Sequence, residues 1–383
     1  MLRTKTIRIA LILLVIAWGC KDPYVSPYKS PPTGYLVVEG YISGNALTQF
    51  TLSRTITLPG DSTLPTIDGA GVQIEGSDNS TYPLTGIGNG VYSSIDTLNL
   101  NPQLQYRLRI TTNTDRYLSD LVPYKTTPPI DSLSWKQDAT GQVTIYVTTH
   151  NSADTAGYYR WNFTQIFEHH AGEEAILYYD RDTTIPGVVL PRTPAMMTYQ
   201  CWTTSNSTNI VIANSTKLAS DVIYEQPVKS IPADDIQLSV LYTILLRQYS
   251  ITPDAYTFLS LMQQNTESLG SIFDAQPSQI TGNIHSLTNT AEKVIGYVSA
   301  GTVQQSRLWI SRYQVRNAYS DACPVKDSVV GNDSATLYDD FYLGAFAPLY
   351  AGPCMGCWEM NYKDCQDCRE QGGVLQKPAI WPN

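Results

Sequence analysis

Apolar and polar residues alternate in short runs over most of this chain, the period-two signature of half-buried β-strands, and helical stripes are scarce. Tyr35 to Ile42, Phe50 to Ile56, Gly71 to Gly76, Gly90 to Ser93 and Tyr106 to Thr111 are rich in β-branched and aromatic residues. Turn signals such as Asp78-Asn79 and Gly88-Asn89-Gly90 separate them. Residues 34–127 are therefore expected to form a β-sandwich of immunoglobulin or transthyretin type. Pro128-Pro129 marks the joint, because a double proline stiffens an extended link and stops strand pairing.

Beyond that joint, residues 130–350 predict a larger β-rich domain with one or two packed helices, so the fold class is all-β. Strands are expected at Val143 to Thr148, Tyr158 to Phe167, Asn209 to Ala213, Ile236 to Leu246 and Ser306 to Tyr313. In the fourth of these, Ile236, Leu238, Val240, Tyr242, Ile244 and Leu246 alternate cleanly, which predicts one buried face. The best helix follows at once. Thr252 suits the N-cap, Pro253 the first helical position and Gly270 the end, with Ala255, Phe258, Leu259 and Met262 on one apolar stripe. A methionine on such a stripe is ordinarily core.

The N-terminus has a different pattern. Arg3, Lys5 and Arg8 precede an uncharged apolar run from Ile9 to Ala17, the layout of a secretory signal over residues 1–19. That run is shorter than the roughly 20 apolar residues a transmembrane helix needs. Ala17, Trp18 and Gly19 lead to Cys20 and resemble a lipobox, so Cys20 is the expected lipidation site and the membrane is a partner through lipid alone; cleavage by an ordinary signal peptidase is the alternative. Residues 20–33, with four prolines, read as an extended tether.

Composition narrows the function. Acidic residues outnumber basic ones, 34 to 25, for a formal charge of −9, and three of the basic residues lie in the signal. Such a chain lacks the basic surface that nucleic acid requires. Tyrosines number 26 against 7 phenylalanines; they suit half-exposed strands and also binding surfaces. Besides Cys20 there are Cys201, Cys323, Cys354, Cys357, Cys365 and Cys368, an even set that implies disulfides in an exported chain without fixing their pairing. Two Cys-x-x-Cys pairs stand close together near the end, but their spacing is short for a zinc ribbon, so no metal is expected.

Catalytic templates fail one by one. The chain has no His-Glu-x-x-His, no Gly-x-Ser-x-Gly elbow, no Walker loop and no Gly-x-Gly-x-x-Gly. His169 and His170 are neighbours at a strand end, face opposite ways and read as surface-loop residues. The pairs Asp234-Asp235 and Asp339-Asp340 are too close in sequence to oppose each other across a glycosidase cleft. No catalytic residue and no cofactor is assigned. A tripeptide of Asp, Ser or Thr, then a small or aliphatic residue recurs more often than residue frequencies alone supply, placing candidate O-glycosylation at Ser62, Thr97, Ser132, Thr155, Thr183, Ser328 and Ser334. Asp-Ser and Asp-Thr are also ordinary turn and cap pairs.

These residues together resemble a family. Tyr35 to Ser43, Leu52 to Thr55, Gly69 to Ile74, Asn89 to Tyr92, Ser271 to Ser286, Ile295 to Ala300 and the ending Cys365 to Asn383 are similar to a Bacteroidota outer-membrane lipoprotein family known as domain-of-unknown-function family 4249. The resemblance implies genes usually placed beside a TonB-dependent outer-membrane receptor, and it brings no established catalytic or ligand residues. The resulting expectation is a lipid-anchored outer-membrane protein, exposed at the cell surface, serving as a non-catalytic accessory or ligand-capture subunit of TonB-dependent nutrient uptake. Its cargo, whether small molecule, glycan or peptide, is not specified. The alternatives are a structural or adhesive surface lipoprotein and, more remotely, a hydrolase whose site is assembled from distant loops. Residues 351–383 read as a cysteine-rich clasp, with Gly372-Gly373 for a turn and Trp381 between Pro378 and Pro382, that pins the C-terminus to the second domain.

Overall fold

A computed structural model describes residues 34–56, 65–152, 157–180, 188–267, 282–316, 319, 323, 327–330 and 337–382. Cys20, Ser62, Thr155, Thr183, Ser334 and Gly270 lie outside the described residues. Strands dominate the regular structure among the described residues, as the alternation predicts.

The N-terminal half holds β1 (Leu36–Ser43), β2 (Gln49–Arg54), β3 (Gly71–Gly76), β4 (Thr81–Gly88), β5 (Val91–Ser93), β6 (Gln105–Thr111), β7 (Arg116–Ser119) and β8 (Val122–Lys125). Here β4 pairs β3 through residues 81–84 and β5 through residues 85–88. Likewise β8 pairs β6 through Val122 and Pro123. Strands that change partners in mid-course turn the corners of a two-layer β-structure. Asn79, at φ 67°, supplies the left-handed residue of the turn between β3 and β4. Gly88 and Gly90, at φ 95° and 71°, do the same before β5.

Residues 34–127 do not complete this domain. Strands β18 (Ile284–Ser286), β19 (Val294–Ile295) and β20 (Ala300–Gly301) come from the far half of the sequence and join it. β18 pairs β7, β19 and β20 pair β1 in parallel, and β20 also pairs β8. Ile284, Val294, Val298 and Ala300 enter the same core as Leu36, Phe50, Ile74, Tyr92, Tyr106 and Tyr117. These inserted strands are too short to be seen by periodicity.

The second domain is a sandwich of its own. A three-stranded sheet orders β16 (Val222–Ile231), β10 (Val143–His150) and β9 (Ile130–Gln137), and packs on a five-stranded sheet. The latter orders β14 (Gln200–Asn206), β11 (Tyr158–His170), β17 (Leu241–Ser250) and β21 (Val303–Ser311), with β15 (Val211–Asn214) also on β11. Trp161, Phe163, Tyr242, Ile244 and Leu246 face Val143, Ile145 and Val147 across the core. The strand expected from Ile236 begins only at Leu241, because Asp235 accepts a hydrogen bond from the Gln237 amide and caps a short 3-10 turn at Ile236–Leu238.

The tyrosine excess has a structural use. Tyr92, Tyr106, Tyr159 and Tyr242 are almost fully buried, yet each hydroxyl donates, to Ile67 O, Asn101 O, Asp221 Oδ2 and Gln165 Oε1. Each such bond offsets the cost of taking a hydroxyl out of water.

Helix α1 (Pro253–Glu267) starts where Thr252 Oγ1 accepts from the Ala255 amide at 3.2 Å. Ala255 and Phe258 are buried. Among the described residues no helix is long and apolar enough to cross a membrane. At the C-terminal end β23 (Phe346–Ala351) and β24 (Cys357–Tyr362) form a hairpin, with β22 (Asp327–Val330) paired to β24. A boundary at residue 351 therefore cuts a hairpin, and the ending is continuous with the strand before it.

Candidate functional site

Alternation along the five-stranded sheet gives it one face for the core and one for something else. On β11 the second face carries Arg160, Asn162, Thr164, Ile166 and Glu168; on β17 it carries Tyr249, Arg247, Leu245 and Thr243; on β21 it carries Gln305, Arg307 and Trp309. Two structures cover its ends and leave the middle open.

One end meets the N-terminal domain. Asn45 donates to Val303 O at 2.8 Å and accepts from Val303 N at 2.7 Å, so one side-chain amide extends the ladder of β21 into the other domain. Thr127, just before the double proline, accepts from Ser250 N at 2.9 Å, and its own N–H donates to Thr302 Oγ1 at 2.8 Å. Tyr41 and Tyr249 meet edge to face with centroids 4.7 Å apart. Burial first, and then the adjoining Tyr249 and Tyr124, push the Tyr41 hydroxyl well above the ordinary phenol range, so it stays protonated.

Between the domains lies a cavity of about 810 Å³. Its floor is Arg160, Asn162, Thr164 and Arg247; β1 and β2 supply Glu39, Tyr41 and Gln49; α1 closes it with Phe258, Leu259 and Met262. Met262 thus lines the cavity and is only partly buried. The Arg247 guanidinium donates to Thr164 Oγ1 at 2.9 Å, and the Gln263 side chain ties α1 to Ile210 O at 2.8 Å. A cavity of this volume falls in the range of small-molecule sites, and it is half-open with a lining more polar than apolar.

The other end is closed by the C-terminus. Trp381 is buried against Ile166, Trp202 and Trp309. Glu168 Oε2 accepts from Trp381 Nε1 at 2.7 Å, and Glu168 Oε1 from Gln200 at 2.6 Å, with His170 Nε2 3.0 Å away. Burial raises the Glu168 carboxyl, but these hydrogen bonds outweigh it and hold the group below its ordinary value. His169 is completely buried between Gln371 and Thr203, not in a surface loop, because the strand continues through it.

The cysteines pair as Cys201 with Cys368, Cys323 with Cys365 and Cys354 with Cys357. The four C-terminal cysteines therefore serve three different places and do not converge. Among the described residues no three of His, Cys, Asp and Glu come together as a metal site. The described glycosylation candidates are all exposed: Thr97 in the loop after β5, Ser132 on the edge strand β9 and Ser328 on β22. None of them touches the cavity.

Sequence reasoning did not single out Arg160, Asn162, Arg247 or Gln305. A signal was present: each stands in the outward phase of an alternating strand, and extending the alternation of Tyr242 to Leu246 by one residue places Arg247 opposite the core.

The model of the family described as "Domain of unknown function (DUF4249)" matches residues 21–307, a span that includes both walls of the cavity and stops short of the cysteine-rich ending. No curated protein matches the chain. Among solved structures, the crystal structure of chicken CNTN1 FN1-FN3 domains is similar at 11% identity and a TM-score of 0.15. That match covers 59% of this chain and 65% of the other, less than two thirds of its length, and carries no argument.

Proposed function

This chain belongs to the DUF4249 family, and we propose that it is a lipid-anchored, non-catalytic ligand-capture or accessory subunit of a TonB-dependent nutrient uptake system at the outer membrane. The observation that carries the reading is the cavity of about 810 Å³ between two β-domains. Its walls offer guanidinium, amide, hydroxyl and aromatic faces, the equipment for holding a solute, and among the described residues its one lining carboxylate, Glu39, has no second carboxylate or histidine opposite for proton transfer. Cys20 supplies the anchor in this reading, and Lys21-Asp22 after it resembles the short charged signals that send Bacteroidota lipoproteins to the cell surface. The receptor partner follows from what the family resemblance implies.

The test is affinity purification from envelope solubilised in mild detergent, with mass spectrometry of whatever co-purifies in stoichiometric amount. A TonB-dependent receptor is the expected result; recovery of the protein alone sinks the uptake reading.

A second reading, a structural or adhesive surface lipoprotein, draws on a different feature. Tyr338 and Tyr342 stack with centroids 4.7 Å apart while partly exposed, and Leu343 and Met355 stand out in solvent. Exposed apolar side chains of this kind suit contact with another macromolecule.

A further inference from the structure

The register of the five-stranded sheet places three arginines on one diagonal. Asn162 pairs with Arg247 and Arg160 with Tyr249, so Arg160 and Arg247 are diagonal neighbours on β11 and β17. Arg247 pairs with Gln305 and Leu245 with Arg307, so Arg247 and Arg307 are diagonal neighbours on β17 and β21. Diagonal side chains on one face lie about 7–8 Å apart at the backbone, within reach of long side chains. Arg160 and Arg247 line the cavity, and Arg307 continues the row beyond it.

Like charges gathered this way repel unless something negative joins them. Elsewhere in the molecule carboxylates do so: Arg54 faces Glu292, Arg107 and Arg109 share Glu75, and Arg369 meets Asp367. Among the described residues Arg160, Arg247 and Arg307 have no such ion pair, although the chain carries 34 acidic residues against 25 basic ones. Among the described residues their side chains hydrogen-bond to protein only from Arg247 to Thr164 and from Arg307 to Thr243 Oγ1 at 3.3 Å. Burial first, and then the positive charge of Arg247, pull the Arg307 guanidinium below its ordinary value. Glu39, the one carboxylate lining the cavity among the described residues, is exposed on the opposite wall and makes no ion pair with either cavity arginine.

We infer that the inter-domain cavity recognises a small ligand bearing an oxyanion, carboxylate or phosphate, seated on the forked N–H donors of Arg160 and Arg247. Guanidinium matches either group through paired N–H donors, which a lone ammonium does not. Asn162 and Gln305 beside the arginines are placed to bond hydroxyl or amide groups on the ligand body, and Tyr41, Tyr249 and Phe258 offer apolar faces next to them. The assignment deepens the capture reading and rests on it: it names the class of cargo for the same cavity.

The test uses the full mature chain with Cys20→Ala, titrated by calorimetry with glucuronate, inorganic phosphate and glucose, while the arginine Nε–Hε resonances of nitrogen-labelled protein are followed. Saturable binding of glucuronate or phosphate that moves the Arg160 and Arg247 resonances, and weakens about tenfold or more in Arg247→Gln, supports the assignment. Which of the two probes binds decides between a carboxylate and a phosphate. Arg247→Lys should recover only part of the affinity, because charge returns without the fork. Arg116→Gln, an exposed arginine on β7, controls for charge alone and should change nothing. Glucose binding as well as glucuronate with Arg247→Gln indifferent to both, or no saturable binding by any of the three, overturns the oxyanion assignment. The partnership with a receptor is read by co-purification and stands or falls separately.

Discussion

Trp381 donates its indole N–H to Glu168 Oε2 at 2.7 Å across 213 residues of sequence, closing the end of the open sheet face opposite the N-terminal domain. The bond ties the last buried residue of the ending to the middle of the chain. Trp381→Phe should keep most of the packing against Trp309 and lose the donor, costing about 1.5–3 kcal/mol for a hydrogen bond to a charged group. Trp381→Ala should cost more, about 3–5 kcal/mol. Urea unfolding of the two variants beside the parent measures both, and a Trp381→Phe variant as stable as the parent would show that the hydrogen bond contributes nothing.

The three disulfides should respond differently to reduction. Cys354 is exposed, whereas Cys201 and Cys368 are completely buried. Thiol exchange needs access to sulfur, so stepwise reduction with alkylation and mass spectrometry should label Cys354 and Cys357 first and Cys201 and Cys368 last. Replacing Cys201 and Cys368 together by serine reopens a span of 167 residues, which the chain-entropy model values at about 5 kcal/mol. Early labelling of the buried pair would contradict the burial.

Acid should loosen the N-terminal domain through Glu75. Hydrogen bonds from Arg109 lower its carboxyl from 4.5 to about 2, against an opposing effect of burial. A lowered folded-state value means the stabilisation is complete above pH 4.5 and fades as pH falls toward 2. The linked stability is on the order of 2–3 kcal/mol. Glu75→Gln, which leaves Arg107 and Arg109 without a counter-charge, should therefore be less stable than the parent at pH 7 and converge with it near pH 2. Parallel stability curves across that range would discount the pair.

Cys20→Ala should release the protein from the membrane fraction into the soluble fraction. The apolar run that precedes it is removed or too short to hold the chain. Fractionation with immunodetection decides this, and a variant that stays with membranes ends the lipid-anchor reading.

Much of the fold was legible because burial on one side of a strand writes a period of two into the residues. β10, β11 and β6 follow that pattern, and α1 carries its own cap and stripe. β18, β19 and β20 did not, because two or three residues are too few to show a period and their core contacts lie beside β1 and β7, far away in sequence. His169 was misjudged for a related reason: its partners, Gln371 and Thr203, come from the C-terminal ending and from β14.

The sequence by itself determined the fold class, the even cysteine set and the absence of familiar catalytic motifs. Each of these depends on residues close together or on composition. Only the tertiary structure decided which cysteines pair, that the N-terminal core is completed from residues 282–301, and that Arg160, Arg247 and Arg307 form a row. Pairing and register bring together groups tens to hundreds of residues apart, and no local pattern of hydrophobic and polar positions encodes that meeting.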